Sequence, residues 1–297
     1  MQAKPAWRSM LFLPAHVEKF VAKAHTRGAD ACILDLEDSV PQDQKALARR
    51  AIAAGASQIS GHNVGVLVRI NNDAEANPQA PLLAADIAAA VRPGVSALVI
   101  PKVNDGAVLQ RVDALVSQAE ANQGLAQGCI NLVAQIEDVR GLPHLDEISC
   151  ATKRLLGMSL GSEDFSASVG MQPTPEALYQ PNQMVVFACR RANILPFGFP
   201  SSIAEYSDEV AFTASVKKAV EMGFVGAFCI HPAQAAMLNA GFSPSPEEIA
   251  DAEDLLAALA QAEAEGRGAF AYKGKMIDPP VIARARETLR RAASLVR

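Results

Sequence analysis

The sequence lacks the features that are typical of secreted, membrane-spanning or nucleic-acid-binding proteins. Its five cysteines are scattered with no Cys-x-x-Cys pair, which indicates reduced thiols in a cytosolic protein. The apolar run at residues 10–13 is broken by Pro14 and is too short for a signal-peptide core, and no stretch reaches the length of a transmembrane helix. The net charge of -5 argues against a nucleic-acid surface. We therefore expect a cytoplasmic protein with no membrane or nucleic-acid partner.

The sequence also lacks short repeats, low-complexity tracts and any linker before residue 241. The 297 residues are 50% hydrophobic, so the chain is able to bury a large core, and its length suits either two domains or one α/β barrel. The clearest break is the Gly-Phe-Ser-Pro-Ser-Pro stretch at residues 241–246. We predict a TIM-barrel catalytic domain at residues 1–240 and a C-terminal extension at residues 241–297.

Short apolar runs alternate with longer helical patterns along the predicted barrel domain. The runs are continuous rather than alternating, as expected for strands of a parallel sheet that is covered on both faces. Eight strand–helix units favour a closed (β/α)8 TIM barrel, with an open doubly wound sheet as the alternative. The predicted strands cover residues 9–13, 31–36, 64–70, 95–100, 130–136, 155–160, 194–199 and 225–230.

The C-terminal extension is surplus to the eight strand–helix units. Its pattern predicts a helix at residues 247–265, a Gly-rich turn at residues 266–274 and a last helix from about residue 279. We expect this helical extension to form a lid or to pack on a neighbouring subunit.

Charged residues follow the predicted strands at the end where a TIM barrel carries its active site. No nucleophilic Cys or Ser with a partnered His is among them. They are Asp35, Glu37, Asp38, Arg69, Lys102, Glu137, Glu163, Asp164 and His231.

Glu137 and Asp164 are the candidate metal ligands, because each follows the end of a predicted strand. Mg²⁺ prefers oxygen ligands and is usually held by one or two carboxylates together with waters and substrate. Two protein carboxylates leave room for a chelating 2-hydroxy or 2-oxo acid. The alternative is that these acids cap the helices that follow them.

Arg69 closes a buried strand and therefore has to meet an anion. It could form an ion pair with Glu37, or its guanidinium could bind a substrate carboxylate or a developing enolate. Glu37 itself is a candidate partner of metal-bound water, with a structural ion pair as the alternative. Lys102 could form a Schiff base, but an ion pair is favoured, and His231 is either a base or a hydrogen-bonded structural residue.

Eight short motifs follow one another in order over nearly the whole chain. They are residues 8–14 (Arg-Ser-Met-Leu-Phe-Leu-Pro), 34–40 (Leu-Asp-Leu-Glu-Asp-Ser-Val), 68–71 (Val-Arg-Ile-Asn), 100–103 (Ile-Pro-Lys-Val), 135–137 (Gln-Ile-Glu), 161–165 (Gly-Ser-Glu-Asp-Phe), 230–232 (Ile-His-Pro) and 274–278 (Gly-Lys-Met-Ile-Asp). In these motifs the sequence resembles the citrate lyase β-subunit-like family, within the wider group of HpcH/HpaI aldolases.

The resemblance implies a TIM barrel that binds Mg²⁺ through Glu137 and Asp164, with Glu163 beside them in the substrate site. It implies that Arg69 contacts the reacting carbonyl. It further implies a homotrimer or hexamer in which Asp278 reaches a neighbour's active site and acts as the base. From its position before Pro279 alone, Asp278 would be a helix N-cap.

The implied chemistry is the reversible C–C cleavage of a 3-hydroxyacyl thioester of coenzyme A (CoA) to acetyl-CoA and a 2-oxo acid. Candidate substrates are citramalyl-CoA, which we favour, malyl-CoA and citryl-CoA. One alternative is the β subunit of a multi-subunit citrate lyase acting on a carrier-protein thioester; another is malate synthase or thioesterase activity at the same site. Arg8 and Lys19 are candidate contacts of the CoA phosphates, with surface charge as the alternative for Lys19.

Overall fold

A computed structural model describes residues 4–72, 82–204, 206–265 and 270–295. The chain divides into two compact units, Met1–Ala240 and Gly241–Arg297. The catalytic role of the first unit and the lid role of the second remain predictions. None of the described helices combines the length and the apolar character that a membrane crossing requires.

The first unit is a (β/α)8 TIM barrel, as predicted. Its sheet has eight parallel strands in the order β7-β6-β5-β4-β3-β2-β1-β8, and an isolated parallel bridge between Phe197 and Gly226 links β7 to the residues just before β8. β7 and β8 are shorter than predicted. The strands are β1 Ser9–Pro14, β2 Ala31–Asp35, β3 Gly65–Arg69, β4 Ala97–Ile100, β5 Asn131–Ile136, β6 Leu155–Leu160, β7 Leu195–Phe197 and β8 Ala227–Cys229.

Helices follow the strands, and two of them, α6 and α9, were not predicted from the sequence. Short 3-10 helices occupy Ala24–Thr26, Gln42–Gln44 and Val139–His144. The helices of the first unit, with α9 running into the second, are α1 Glu18–Val21, α2 Lys45–Ser60, α3 Leu82–Ala90, α4 Gly106–Asn122, α5 Leu145–Cys150, α6 Ser162–Val169, α7 Pro175–Arg191, α8 Glu209–Met222 and α9 Pro232–Phe242.

Apolar side chains fill the barrel below the carboxyl ends of its strands. The cluster includes Met10, Ile33, Leu67, Val133 and Phe228, all with less than a tenth of their surface exposed. A filled barrel is a packed core and not a pore, so the polar residues at the last strand positions are supported by rigidly packed side chains.

The second unit packs two helices, α10 Pro246–Ala264 and α11 Pro279–Leu295, around a small apolar core. The two helices agree with the predicted helical extension. The unit also contains an antiparallel hairpin of β9 Phe270–Tyr272 and β10 Lys275–Ile277, which was not predicted. Lys273 and Gly274 adopt positive φ angles of 47° and 75°, the conformation that tight two-residue hairpin turns require. Residues 266–269 of the predicted turn lie outside the described residues.

Asp278 lies directly before α11. Its Oδ1 accepts a hydrogen bond of 3.2 Å from the backbone N–H of Val281, which is the geometry of a helix N-cap. The side chain is exposed within this unit. The catalytic role of Asp278 in a neighbouring subunit remains a prediction.

Candidate active site

The carboxyl ends of the strands surround a cavity of about 490 Å³. The predicted site residues Arg69, Glu137, Glu163 and Asp164 all line it. Phe12 of β1 and Phe228 of β8 form apolar parts of its wall, with their rings edge to face and 5.4 Å apart. The cavity therefore combines an apolar surface with a small set of charged groups, as ligand sites generally do.

Arg69 is held by a pair of hydrogen bonds to Asp35. Its Nε and Nη2 donate to the two carboxylate oxygens of Asp35 at 2.7 Å each, and its Nη1 lies 3.1 Å from Oε2 of Glu37. The predicted contact with Glu37 is therefore present, but Asp35 is the bidentate partner. The two residues can pair this way because Asp35 and Arg69 are register partners on β2 and β3.

The Arg69–Asp35 pair is ionised. Burial alone would raise the pKa of Asp35, but the hydrogen bonds and charge of Arg69 outweigh it and hold the pKa below its ordinary value. Burial alone would lower the pKa of Arg69, and the hydrogen bonds to Asp35 reverse that effect, so its pKa lies above its ordinary value. The guanidinium also lies 4.6 Å from the ring centroid of Phe12, a cation–π contact that fixes its plane.

Glu137 is a buried carboxylate oriented by main-chain contacts. Its Oε2 accepts a hydrogen bond of 2.9 Å from the backbone N–H of Lys102, a residue with a φ of 53°. A Cβ atom on Gly161 would lie 2.6 Å from Cγ of Glu137, so only glycine leaves room for this side chain. Burial, together with the charges of Glu37 and Asp164, raises the pKa of Glu137 to about 8 despite the nearby Arg69.

Lys102 forms an ion pair, in agreement with the favoured interpretation. Its Nζ donates a hydrogen bond of 2.7 Å to Oε1 of Glu37. Burial would lower the pKa of Lys102, but the bond to Glu37 outweighs it and raises the pKa. A Schiff-base lysine needs a neutral amine, so this environment does not suit that role. Burial raises the pKa of Glu37.

Glu163 and Asp164 lie in the first turn of α6, where acids are favoured by the helix dipole. Oε1 of Glu163 accepts a hydrogen bond of 2.5 Å from Oγ of Ser202 in the segment after β7. Asp164 is exposed, and it lies near enough to Glu137 to affect the pKa of that group. The substrate-binding role of both acids remains a prediction.

Several predicted groups have other places in the structure. His231 does not line the cavity; its exposed ring stacks on Tyr206 with centroids 4.9 Å apart, which fits a structural residue. Arg8 precedes β1 and binds Asp30, which precedes β2, so it lies at the opposite end of the barrel and its assignment to CoA phosphates was wrong. Lys19 packs over Phe20, whose ring lines the cavity, and its role stays a prediction.

A buried network behind the site was not predicted. Nζ of Lys45 donates hydrogen bonds to the backbone carbonyls of Leu36 and Glu37 and to Oδ1 of Asn71, at 2.7–2.9 Å. Asn71 in turn donates to Asp86, which is fully buried. The network fixes the segment that carries Glu37. A signal was present in the sequence, since a polar Asn directly follows the predicted strand at residues 64–70.

The residues around Glu137 fit a Mg²⁺ ion. In the described ranges, no three His, Cys, Asp or Glu side chains are arranged around one metal position, and Mg²⁺ does not require such a set. Glu137 and Asp164 line the same cavity, and burial with neighbouring acids raises the pKa of Glu137, so a cation there would offset the repulsion. The two candidate ligands, Glu137 and Asp164, both offer carboxylate oxygens, which suit a hard divalent cation.

Comparison with known proteins identifies the family. The family model for HpcH/HpaI aldolase/citrate lyase matches residues 8–232, which contain all eight strands of the barrel. The chain belongs to this family. The sequence resemblance to its citrate lyase branch is thereby confirmed.

Relatives within the HpcH/HpaI family include two lyase types. The L-malyl-CoA/β-methylmalyl-CoA lyase of Rhodobacter capsulatus is 36% identical over 307 residues, covering 96% of this chain and 94% of the relative. The citrate lyase subunit beta of Leuconostoc mesenteroides subsp. cremoris is 30% identical over 288 residues, covering 96% and 93%.

A solved structure of similar fold is that of protein CitE from Mycobacterium tuberculosis in complex with magnesium, acetoacetate and coenzyme A. Its TM-score is 0.75 at 27% sequence identity, and the match covers 99% of this chain and 100% of that one.

Proposed function

We propose that this protein is a Mg²⁺-dependent carbon–carbon lyase that cleaves a 3-hydroxyacyl-CoA thioester to an acyl-CoA and a 2-oxo acid. The observation that carries the proposal is one cavity that contains both a rigidly held guanidinium, Arg69, and the carboxylate pair Glu137 and Asp164. The names of the relatives and the ligands of the related structure support it.

Glu137 and Asp164 would hold the ion, and Glu37 would be a partner for metal-bound water. When bound, Mg²⁺ supplies a Lewis acid for the oxygens of the 2-hydroxy acid end. The carboxylate pair would thereby orient that end of the substrate.

Arg69 stabilises the charge that develops during cleavage. The C2–C3 bond breaks as the 3-hydroxyl gives its proton to solvent water and becomes a carbonyl, and the bonding electron pair moves onto the thioester as an enolate. Arg69 presents a fixed positive charge to the thioester oxygen, where negative charge grows only on the way to the transition state. The two bonds to Asp35 leave three of the five guanidinium N–H groups for Glu37 and the substrate.

Asp278 is the proposed proton donor to C2 of the enolate, and the base in the reverse direction. We place it in a neighbouring subunit of a homotrimer or hexamer, on the strength of the family resemblance. We also place the enzyme in the cytoplasm, which is supported by its five free cysteines.

The proposed substrates are malyl-CoA, citramalyl-CoA and citryl-CoA. The relatives named L-malyl-CoA/β-methylmalyl-CoA lyase support a free CoA thioester. A relative named citrate lyase subunit beta supports the second candidate, a carrier-protein-dependent subunit of a larger lyase.

The first experiment assays the purified chain with Mg²⁺ on all three thioesters, following oxo-acid release and free CoA separately. Oxo acid without free CoA, abolished by EDTA and by Asp164→Ala, is expected. Asp146→Ala is the matched control, because Asp146 is also an exposed acid in the first turn of a helix but does not line the cavity. Free CoA would indicate thioesterase or malate synthase activity, and no cleavage would favour the carrier-dependent subunit.

A second experiment tests the placement of Asp278. Asp164→Ala and Asp278→Ala proteins, each inactive alone, are unfolded together and refolded as a mixture. If Asp278 serves a neighbour, the mixture regains part of the activity, because some sites combine an intact Asp164 with a partner's intact Asp278. A mixture as inactive as its components would contradict the placement.

A further inference from the structure

Gln135 has a buried polar atom that no described residue satisfies. It lies on β5, two positions before Glu137, and is 5% exposed. Its Oε1 is buried and accepts no hydrogen bond from the part of the chain that the structure describes, although Gln135 lines the cavity. Buried acceptors are nearly always paired, so an unpaired one in a cavity points to a bound water or ligand.

Gln135 and Ser159 form the polar floor of the cavity. They are register partners on β5 and β6, and both line the cavity one side-chain layer deeper than Glu137 and Gly161. Below them on β5 lies Val133, which belongs to the apolar core. We call Gln135 and Ser159 the floor pair.

The floor pair faces the oxo-acid end of the substrate. A cavity of about 490 Å³ does not enclose coenzyme A, so the CoA arm has to leave through the mouth. The thioester carbon is bonded to C2, so C3 and its substituent lie further inward. That substituent is hydrogen in malyl-CoA, methyl in citramalyl-CoA and carboxymethyl in citryl-CoA.

Charge, rather than volume, decides which substituent the floor accepts. Of the described residues that line the cavity, Arg69 is the single cation, and it already binds Asp35 and Glu37. A carboxymethyl group would bring a second carboxylate to a floor that offers it an amide, a hydroxyl and aromatic rings. A buried carboxylate that has no cation beside it is strongly disfavoured, whereas a hydrogen or methyl substituent carries no charge and no such penalty.

We propose that the neutral floor pair of Gln135 and Ser159 selects 3-hydroxyacyl thioesters with hydrogen or methyl on C3 and rejects those with a carboxymethyl group. Gln135 is thus a specificity-determining residue of the reaction proposed above, on which this inference rests. Its free Oε1 accepts from a floor water that shares the space with the small substituent.

The test compares kcat/KM for malyl-CoA, citramalyl-CoA and citryl-CoA in the purified full-length protein with Mg²⁺. Cleavage of citryl-CoA is expected to be slower by about 100-fold or more, the scale on which sites reject a group they leave unpaired. Gln135→Arg adds a cation to the floor and is expected to raise the citryl-to-malyl ratio by at least about tenfold. Gln135→Met, similar in size and neutral, is expected to keep citryl-CoA rejected. These ratios do not depend on the fraction of active protein.

A binding measurement gives a readout that is independent of cleavage. Calorimetric titration of the Mg²⁺-loaded protein with glyoxylate, pyruvate and oxaloacetate is expected to show the weakest binding for oxaloacetate, and Gln135→Arg is expected to reverse that order. If wild-type protein cleaves citryl-CoA within about tenfold of malyl-CoA, the inference is overturned while the proposed lyase function stands. If the protein neither cleaves a thioester nor binds an oxo acid, the proposed function fails first.

Discussion

Replacing Asp35 with asparagine would test whether the rigid placement of Arg69 matters for catalysis. Asp35 is 1% exposed and accepts hydrogen bonds from Nε and Nη2 of Arg69. It also accepts hydrogen bonds from the backbone N–H groups of Glu37 and Ser39. Asparagine keeps the size of the side chain but offers one acceptor, and its amide N–H₂ faces the guanidinium. Arg69 then loses one of its two fixed bonds and its charge is no longer balanced by Asp35.

The expected loss of stability follows from burial. Removing one partner of a buried ion pair costs about 3–5 kcal/mol, which for a protein of this size lowers the melting temperature by on the order of 10 °C. The loss of an oriented group that stabilises transition-state charge lowers kcat by about 100-fold. KM is expected to change little, because the thioester oxygen carries little charge before the bond breaks.

The pH dependence of this stability difference has a defined sign. The pKa of Asp35 in the folded protein lies below its ordinary value. Its contribution is therefore full above the unfolded pKa of about 3.9 and is lost as the pH falls through the folded value. Wild type and Asp35→Asn are expected to differ most in unfolding free energy at neutral pH and to converge in acid.

Asp30→Asn is a matched control at the other end of the same strand. Asp30 accepts a bidentate pair of hydrogen bonds from Nε and Nη2 of Arg8, each 2.8 Å long, and its side chain is 10% exposed. The control is expected to lose somewhat less stability and to keep kcat within about threefold of wild type. Stopped-flow or coupled assays measure kcat for both variants, and urea unfolding measures their free energies of unfolding. If Asp35→Asn keeps the wild-type kcat, or if Asp30→Asn lowers kcat as much as Asp35→Asn does, the ion pair between Asp35 and Arg69 has no role in the chemistry.

Three further outcomes are expected near Glu137. Gly161→Ala is expected to weaken Mg²⁺ binding by about 10–100-fold in calorimetry, because its Cβ would displace Glu137; unchanged affinity would contradict the tight fit. Lys102→Met removes the bond to Glu37 but keeps the N–H to Glu137, so kcat is expected to fall about tenfold with Mg²⁺ affinity unchanged. Glu137→Gln is expected to abolish Mg²⁺ binding and to raise the melting temperature in EDTA, because burial disfavours the carboxylate; a lower melting temperature would contradict this.

The fold was predictable because a covered parallel strand leaves a continuous apolar run in the sequence. All eight runs became strands of one barrel. The helices α6 and α9 were missed, since the first reads as the acidic end of a strand and the second begins at the proline of a His-Pro pair. The hairpin of the second unit was missed because its three-residue strands are too short to show an alternating pattern.

The site was predictable in composition but not in pairing. Acids and cations at the strand ends correctly indicated that the site lies at the carboxyl-terminal end of the barrel. Arg69, Glu137, Glu163 and Asp164 do line one cavity there. The choice of Asp35 as the partner of Arg69 depends on the register between β2 and β3, which residue patterns do not reveal. In the same way, a glutamine inside a strand gives no sign of whether its amide will be satisfied.

Lys102 serves two carboxylates through different parts of the same residue, and this has a consequence for how the site tolerates mutation. The contact with Glu137 uses the main-chain N–H, which every amino acid except proline supplies. The contact with Glu37 uses the side chain and changes with every substitution. Sequence drift at position 102 would therefore alter the support of Glu37 first. Glycine adopts a φ of 53° without steric strain. At position 102 it would keep the main-chain hydrogen bond to Glu137 and remove the ion pair with Glu37.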